Sequence, residues 1–304
     1  MQIFGQAVGR ERRRRFGIFL GANGLRAGWR VLLFFVIALV VGDLGFLLLV
    51  RPCLEHGFFV SAPAKLFLYR MWFFLPLLAA AAIMARLEAR SMAAYGLDFS
   101  QNSIARLVEG AVWGLCAFSL LAGALWSLNA CSIRLAPLTG TATWNWGLQW
   151  TLAFFAVGLL EEYAARGYPF YTFGSAIGFW PSAVLLSVSF GVIHIQNQSW
   201  IGVLGVVLVA LFFCWTLRCT GSLWFAVGCH GAFDWAAAFL FGVPERSGRA
   251  SGHLLEMSVQ GPAWLTGGSF GPESGVLVIP LVLLMWVVFT CVIASSPQAR
   301  SRNC

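Results

Sequence analysis

Three clusters of ionisable residues interrupt the apolar segments of this chain: Leu160-Glu161-Glu162-Tyr163-Ala164-Ala165-Arg166, then Phe190-Gly191-Val192-Ile193-His194 with Asn197 beyond it, then His230-Gly231-Ala232-Phe233-Asp234. Carboxylates and imidazoles move protons near neutral pH; grouped together they activate water, relay protons or ligate a metal. At about 100° per residue, Glu162 and Arg166 lie about 40° apart on a helix, with the acid first, the better order for an ion pair. Glu161 stands about 140° from Arg166 on the same wheel. The spacing therefore assigns Glu162–Arg166 to a structural or orienting pair and leaves Glu161 for a cavity. His194 and Asn197, at i,i+3, can share a face, and Asp234, one turn after His230, can fix its tautomer.

The elements that carry these clusters must live in lipid. Of 304 residues, 59% are hydrophobic and 11% charged, with a mean hydropathy of +0.79, whereas a globular domain carries about 25% charged residues. The apolar stretches are continuous runs, not alternating strands, so the expectation is an all-α polytopic membrane protein. About eight transmembrane helices are expected around an intramembrane polar cavity: 31–50, 66–85, 107–128, 148–172, 181–197, 200–217, 222–241 and 276–294. An ionisable group at mid-bilayer costs about 2.5–3.5 kcal/mol, so Glu161, Glu162, Arg166 and Asp234 together cost about 10–14 kcal/mol before pairing. Such groups persist when they are paired, face a cavity or do chemistry. Taken singly, the first cluster reads equally well as a packed polar lock, and a lone histidine such as His194 or His230 more readily as a packed or interfacial residue; three clusters on consecutive long segments favour convergence. His194 falls toward the outer end of its segment, so that segment must be offset or tilted to meet the others.

The sequence divides into a basic cytoplasmic segment (1–30), three helices (31–145), a core bearing the clusters (146–241), and a loop, last helix and tail (242–304). The formal charge of +8 is concentrated in Arg10 and Arg12–Arg15, before the first apolar run. Arg86, Arg90 and Arg106 flank one loop, and Arg300 and Arg302 follow the last span. This is the positive-inside pattern, with both termini cytoplasmic and loops 129–146 and 242–274 outside. Nothing in it resembles a nucleic-acid site. The eight Cys lack metal-ligand spacing; Cys53 and Cys131 fall in loops on one side, where a disulfide is conceivable.

The ordered trio Glu-Glu-x-x-x-Arg, Phe-x-x-x-His and His-x-x-x-Asn/Asp resembles the CPBP family, the type II CAAX prenyl endopeptidases and related bacterial self-immunity proteins. The pattern is carried by Glu161, Glu162, Arg166, Phe190, His194, His230 and Asp234. The resemblance implies intramembrane proteolysis. Glu161 and His194 would activate water, and His230 with its partner would stabilise the oxyanion. Asp234 stands where the CAAX enzymes have Asn; as an ionised group it cannot donate, so it would orient His230 or ligate a metal. Glu161, His194, His230 and Asp234 offer a donor set for zinc, but no His-Glu-x-x-His is present, and the reading favours a metal-free mechanism without a required cofactor. The expected partners are the bilayer and a membrane-associated protein or peptide, and the expected location is a bacterial inner membrane. A proton-coupled transporter and a non-catalytic immunity or scaffold protein are the rivals. The absent internal repeat counts against the first.

Overall fold

In the computed structural model, residues 17–21, 24–50, 61–97, 99, 101–136, 138, 140–245 and 248–294 are described. Arg10–Arg15, Cys53, His56, Arg246, Arg300, Arg302 and Cys304 lie outside them. In lipid a backbone must satisfy its own polar groups, and the apolar runs do so as helices. These are α1 (Ala27–Gly45, continued by a π turn to Val50), α2 (Ala62–Leu87), α3 (Ser103–Ser127) and α4 (Thr141–Arg166). Then come α5 (Tyr168–Ile177), α6 (Phe179–Ile193), α7 (Trp200–Thr220), α8 (Trp224–Trp235, continued by a π turn to Leu240) and α9 (Val278–Ala294). Among the described residues, four stretches are long and apolar enough to cross a membrane: Ala27–Leu48, Ala62–Leu87, Ser103–Ser127 and Trp200–Thr220. Together with the large apolar side chains left exposed along them, such as Leu39, Leu75, Val112 and Leu204, they mark an integral membrane protein. The sequence suggested eight spans; the remaining apolar helices α6 and α9 are shorter.

The expected span 148–172 is broken. α4 stops at Arg166, and α5 begins one residue later with Pro169 in its first turn. Proline has no N–H to donate to Ala165, and its ring clashes with that carbonyl, so the helix cannot run on. The expected span 181–197 ends at Ile193, with His194 as its C-cap. Loops 129–146 and 242–274 are not separate either. β1 (Cys131–Leu135) pairs antiparallel with β2 (Leu255–Val259), Cys131 opposite Val259 and Leu135 opposite Leu255. The helical bundle thus carries a small two-stranded ladder at one end. Cys131 is a buried free thiol in that ladder, and burial pushes the thiol above its ordinary range.

Glycines set the spacing of the site-bearing helices. A Cβ on Gly110 or Gly114 of α3 would come to 2.0 Å from the carbonyl oxygens of Phe225 and Cys229 in α8. On the other flank of α8, a Cβ on Gly158 of α4 would come to 2.7 Å from the Val227 oxygen, and one on Gly231 to 2.8 Å from the Phe154 oxygen. Small residues are what let membrane helices approach backbone to backbone, where no hydrophobic force drives them together. α8 is therefore clamped between α3 and α4. Gly114→Leu forces that seam apart and should lower stability by about 1–3 kcal/mol, read as a fall in the thermal midpoint of the detergent-purified protein. Gly123→Leu on the same helix, where an added Cβ meets nothing within 4 Å, should leave the midpoint nearly unchanged. Equal effects of the two would remove the seam's importance.

Candidate active site

α4, α6 and α8 bring their three clusters to one cavity of about 590 Å³, lined by Glu161, Glu162, Arg166, Phe190, His194, His230 and Asp234 among others. Its floor is an ion pair. Arg166 Nη1 donates to Glu162 Oε2 at 2.5 Å, with both side chains essentially inaccessible (1% and 0% exposed). The guanidinium carbon lies 5.1 Å from the Phe190 ring centroid and 5.7 Å from that of Phe213, so aromatic faces from α6 and α7 hold the cation where water does not reach.

The second oxygen of Glu162 works across the helix interface. Glu162 Oε1 lies 2.8 Å from His230 Nδ1. An ionised carboxylate only accepts, so Nδ1 carries the proton and Nε2 is turned into the cavity. His194 is held in the same sense: its Nδ1 is 2.7 Å from the Phe190 carbonyl oxygen, another pure acceptor. Both Nε2 atoms then approach one atom, Glu161 Oε2, at 3.6 Å from His194 and 3.8 Å from His230, whose Nε2 also lies 3.6 Å from Asp234 Oδ2. Those gaps are too long for direct hydrogen bonds. The other oxygen of Glu161 is 3.0 Å from Arg70 Nη1 on α2.

Several positions differ from the sequence reading. Asp234 lies at His230 Nε2, 3.6 Å away, while the tautomer-fixing contact expected of Asp234 is made at Nδ1 by Glu162. Glu162 is thus both the partner of Arg166 and the group that orients His230. Asn197 is exposed and does not line the cavity: α6 has ended at Ile193, and Asn197 meets His194 only through a turn, its N–H donating to the His194 carbonyl at 2.9 Å. Gln198 lines it instead. Arg70 was missed, although the signal was present: it is an ionisable residue inside the expected span 66–85, the same criterion that singled out the others. Glu161 is consequently not a lone carboxylate, but one held by a cation from outside the three motifs.

As a metal site the arrangement fits poorly. Among the described residues, no group of three or more His, Cys, Asp and Glu side chains is disposed to hold an ion. Arg70 also places a fixed positive charge on the carboxylate that a cation would need.

Residues 143–236 match the model of a family described as Type II CAAX prenyl endopeptidase Rce1-like. The matched segment is similar to an Rce1-like domain. It runs from the first turn of α4 to the end of α8 and contains Glu161, Glu162, Arg166, Phe190, His194, His230 and Asp234, whereas Arg70 and the β1–β2 ladder lie outside it. No curated protein matches the chain.

Removing one member of the buried pair strands the other charge. Arg166→Met should destabilise the protein by about 3–5 kcal/mol, measured by equilibrium unfolding in mixed detergent. The double variant Glu162→Gln/Arg166→Met should recover part of that loss; a double variant no better than the single would mean that the charge pairing is not what Arg166 supplies.

Proposed function

We propose that this chain is an intramembrane endopeptidase that hydrolyses a peptide bond of a membrane-associated protein or peptide, with Glu161 and His194 activating the attacking water. The match of residues 143–236 to an endopeptidase family supports a protease-type enzyme. The observation that carries the finer reading is the pair of imidazole Nε2 atoms aimed at Glu161 Oε2 from 3.6 and 3.8 Å. A water seated among them donates one hydrogen to the carboxylate and the other to His194 Nε2, leaving its lone pair for the substrate carbonyl carbon. Attack forms the C–O bond and puts the carbonyl electrons on the oxyanion. Collapse breaks the C–N bond as Glu161 returns its proton to the departing nitrogen.

His230 is the electrophilic partner in this scheme. Three carboxylates (Glu161, Glu162, Asp234) face two guanidinium groups (Arg70, Arg166), and a proton on His230 Nε2 balances the remaining charge. That proton can be donated to the oxyanion. Glu162 positions the ring through Nδ1, and Arg70 positions Glu161 without blocking the oxygen that meets the water. Both are positioning residues. No metal enters the scheme, in keeping with the poor donor geometry and the charge of Arg70.

Glu161→Gln keeps the shape of the side chain and removes the base. It should lower kcat by about 10²–10⁴-fold on an internally quenched peptide with an apolar cleavage region, presented in detergent micelles. His194→Ala should lower it comparably, and unchanged cleavage in either variant would overturn the assigned roles. Treatment of the active preparation with 1,10-phenanthroline should leave cleavage intact; loss of activity restored by zinc would overturn the metal-free scheme.

A further inference from the structure

Among the described residues, the lining of the cavity extends toward one end of the bundle. Above the polar floor its walls are apolar, with Trp150, Phe154 and Phe233 among them. Beyond those walls the lining comes from the first turns of α2 (Ala62, Leu66), from Ala250 and Ser251 in the loop before β2, and from Glu273 before α9. All of these lie at the end that carries the β1–β2 ladder. The contacts there are direct: Trp150 Nε1 donates to the Ser251 carbonyl at 3.0 Å, and the Ser61 hydroxyl that caps α2 meets Gln149. From the opposite end, where α2 finishes and α3 begins, no described residue between 87 and 103 lines the cavity, and Arg166 closes its floor.

The basic residues are distributed the other way. Arg26, Arg30, Arg86, Arg90, Arg106 and Arg218 stand near helix ends on the closed side, and in sequence Arg10, Arg12–Arg15, Arg300 and Arg302 adjoin it. The open side has Lys65, Arg134 and Arg249, with Arg51 and Arg246 adjoining it in sequence. Lysine and arginine next to membrane spans are retained in the cytoplasm, and acidic residues have little influence on that choice.

We propose that the cavity is entered from the extracytoplasmic face, so that its substrate is a polypeptide with an apolar segment presented at that face and not a chain end modified in the cytosol. The substrate class rests on the proteolytic reading above, whereas the direction of entry does not. The lining matches such a ligand in order. Arg249, Ser251 and Glu273 stand at the mouth for polar backbone and side chains at the membrane surface, the aromatic walls follow for the apolar stretch, and Glu161 lies below them.

The test uses single cysteines and a membrane-impermeant maleimide, with labelling scored above that of the parent chain. Ala250→Cys at the mouth and Ala237→Cys on the cavity wall should be modified in intact spheroplasts. Ala94→Cys, exposed at the closed end, should be modified only in inverted membrane vesicles. Modification of the cavity cysteines only in inverted vesicles would overturn the proposal, as would modification of Ala94→Cys in spheroplasts. Modification at Ala250→Cys with none at Ala237→Cys from either side would also overturn it, because the cavity would then be closed to that face. Since labelling needs no hydrolysis, an inactive protein labelled as expected would sink the proteolytic reading and leave the direction of entry standing.

Discussion

A carboxylate and a guanidinium sealed from water at 2.5 Å, Glu162 against Arg166, set the terms for everything around them. Burying both charges is costly, and the arrangement holds only because each charge is satisfied from more than one direction. Phe190 and Phe213 cover the cation, while His230 takes the second oxygen of the anion. Four helices are committed to that one point: α4 supplies the pair, α6 and α7 the aromatic faces, and α8 the imidazole. An element drawn away from it would leave a charge in a dry interior, so the pair acts as a register mark for the bundle. It also fixes which nitrogen of His230 faces the cavity.

The surrounding architecture keeps that register. The glycine seams bring the α8 backbone against α3 and α4, which sets His230 within reach of Glu162. Pro169 ends α4 just after Arg166, and α5 then turns the chain so that α6 can return beside it. At the α5 end of the bundle, Tyr168 donates to Glu88 at 2.5 Å and Arg30 Nε donates to the same oxygen at 2.8 Å. That contact ties α1, the end of α2 and the start of α5 together, and through α2 it bears on where Arg70 can reach.

How much of this the sequence disclosed follows from the range of each rule. Helical angles relate residues on one helix, so the pairing of Glu162 with Arg166 and the divergence of Glu161 could be read directly from spacing. The link between Glu162 and His230 joins residues on two helices, and no periodicity encodes it. The same limit explains why Asp234 reads from spacing as the group that fixes the His230 tautomer: it is the nearest carboxylate along the chain, but Glu162 reaches Nδ1 across the interface. Asn197 was misjudged because its relation to His194 assumed a helix that stops at Ile193. Pro169 and Gly110-x-x-x-Gly114 were legible signals of a break and a close seam, yet which helix they would meet was not. The β1–β2 ladder brings together residues too far apart in sequence for local patterning to pair them.

The brevity of α6 has a consequence for the lipid itself. Fifteen residues rise about 22 Å, short of the roughly 30 Å hydrocarbon layer of an ordinary bilayer. Its outer face, with Val184, Leu185, Val188 and Val192 exposed, is apolar to the last turn. It is followed at once by exposed Gln196 and Asn197 and then by Trp200, 77% exposed, residues suited to headgroup level. A helix of this length spans an ordinary bilayer only where the hydrocarbon thins to meet those residues, a local hydrophobic mismatch. Thinning at that point would fall next to His194 and shorten the path by which bulk solvent reaches the interior of the bundle.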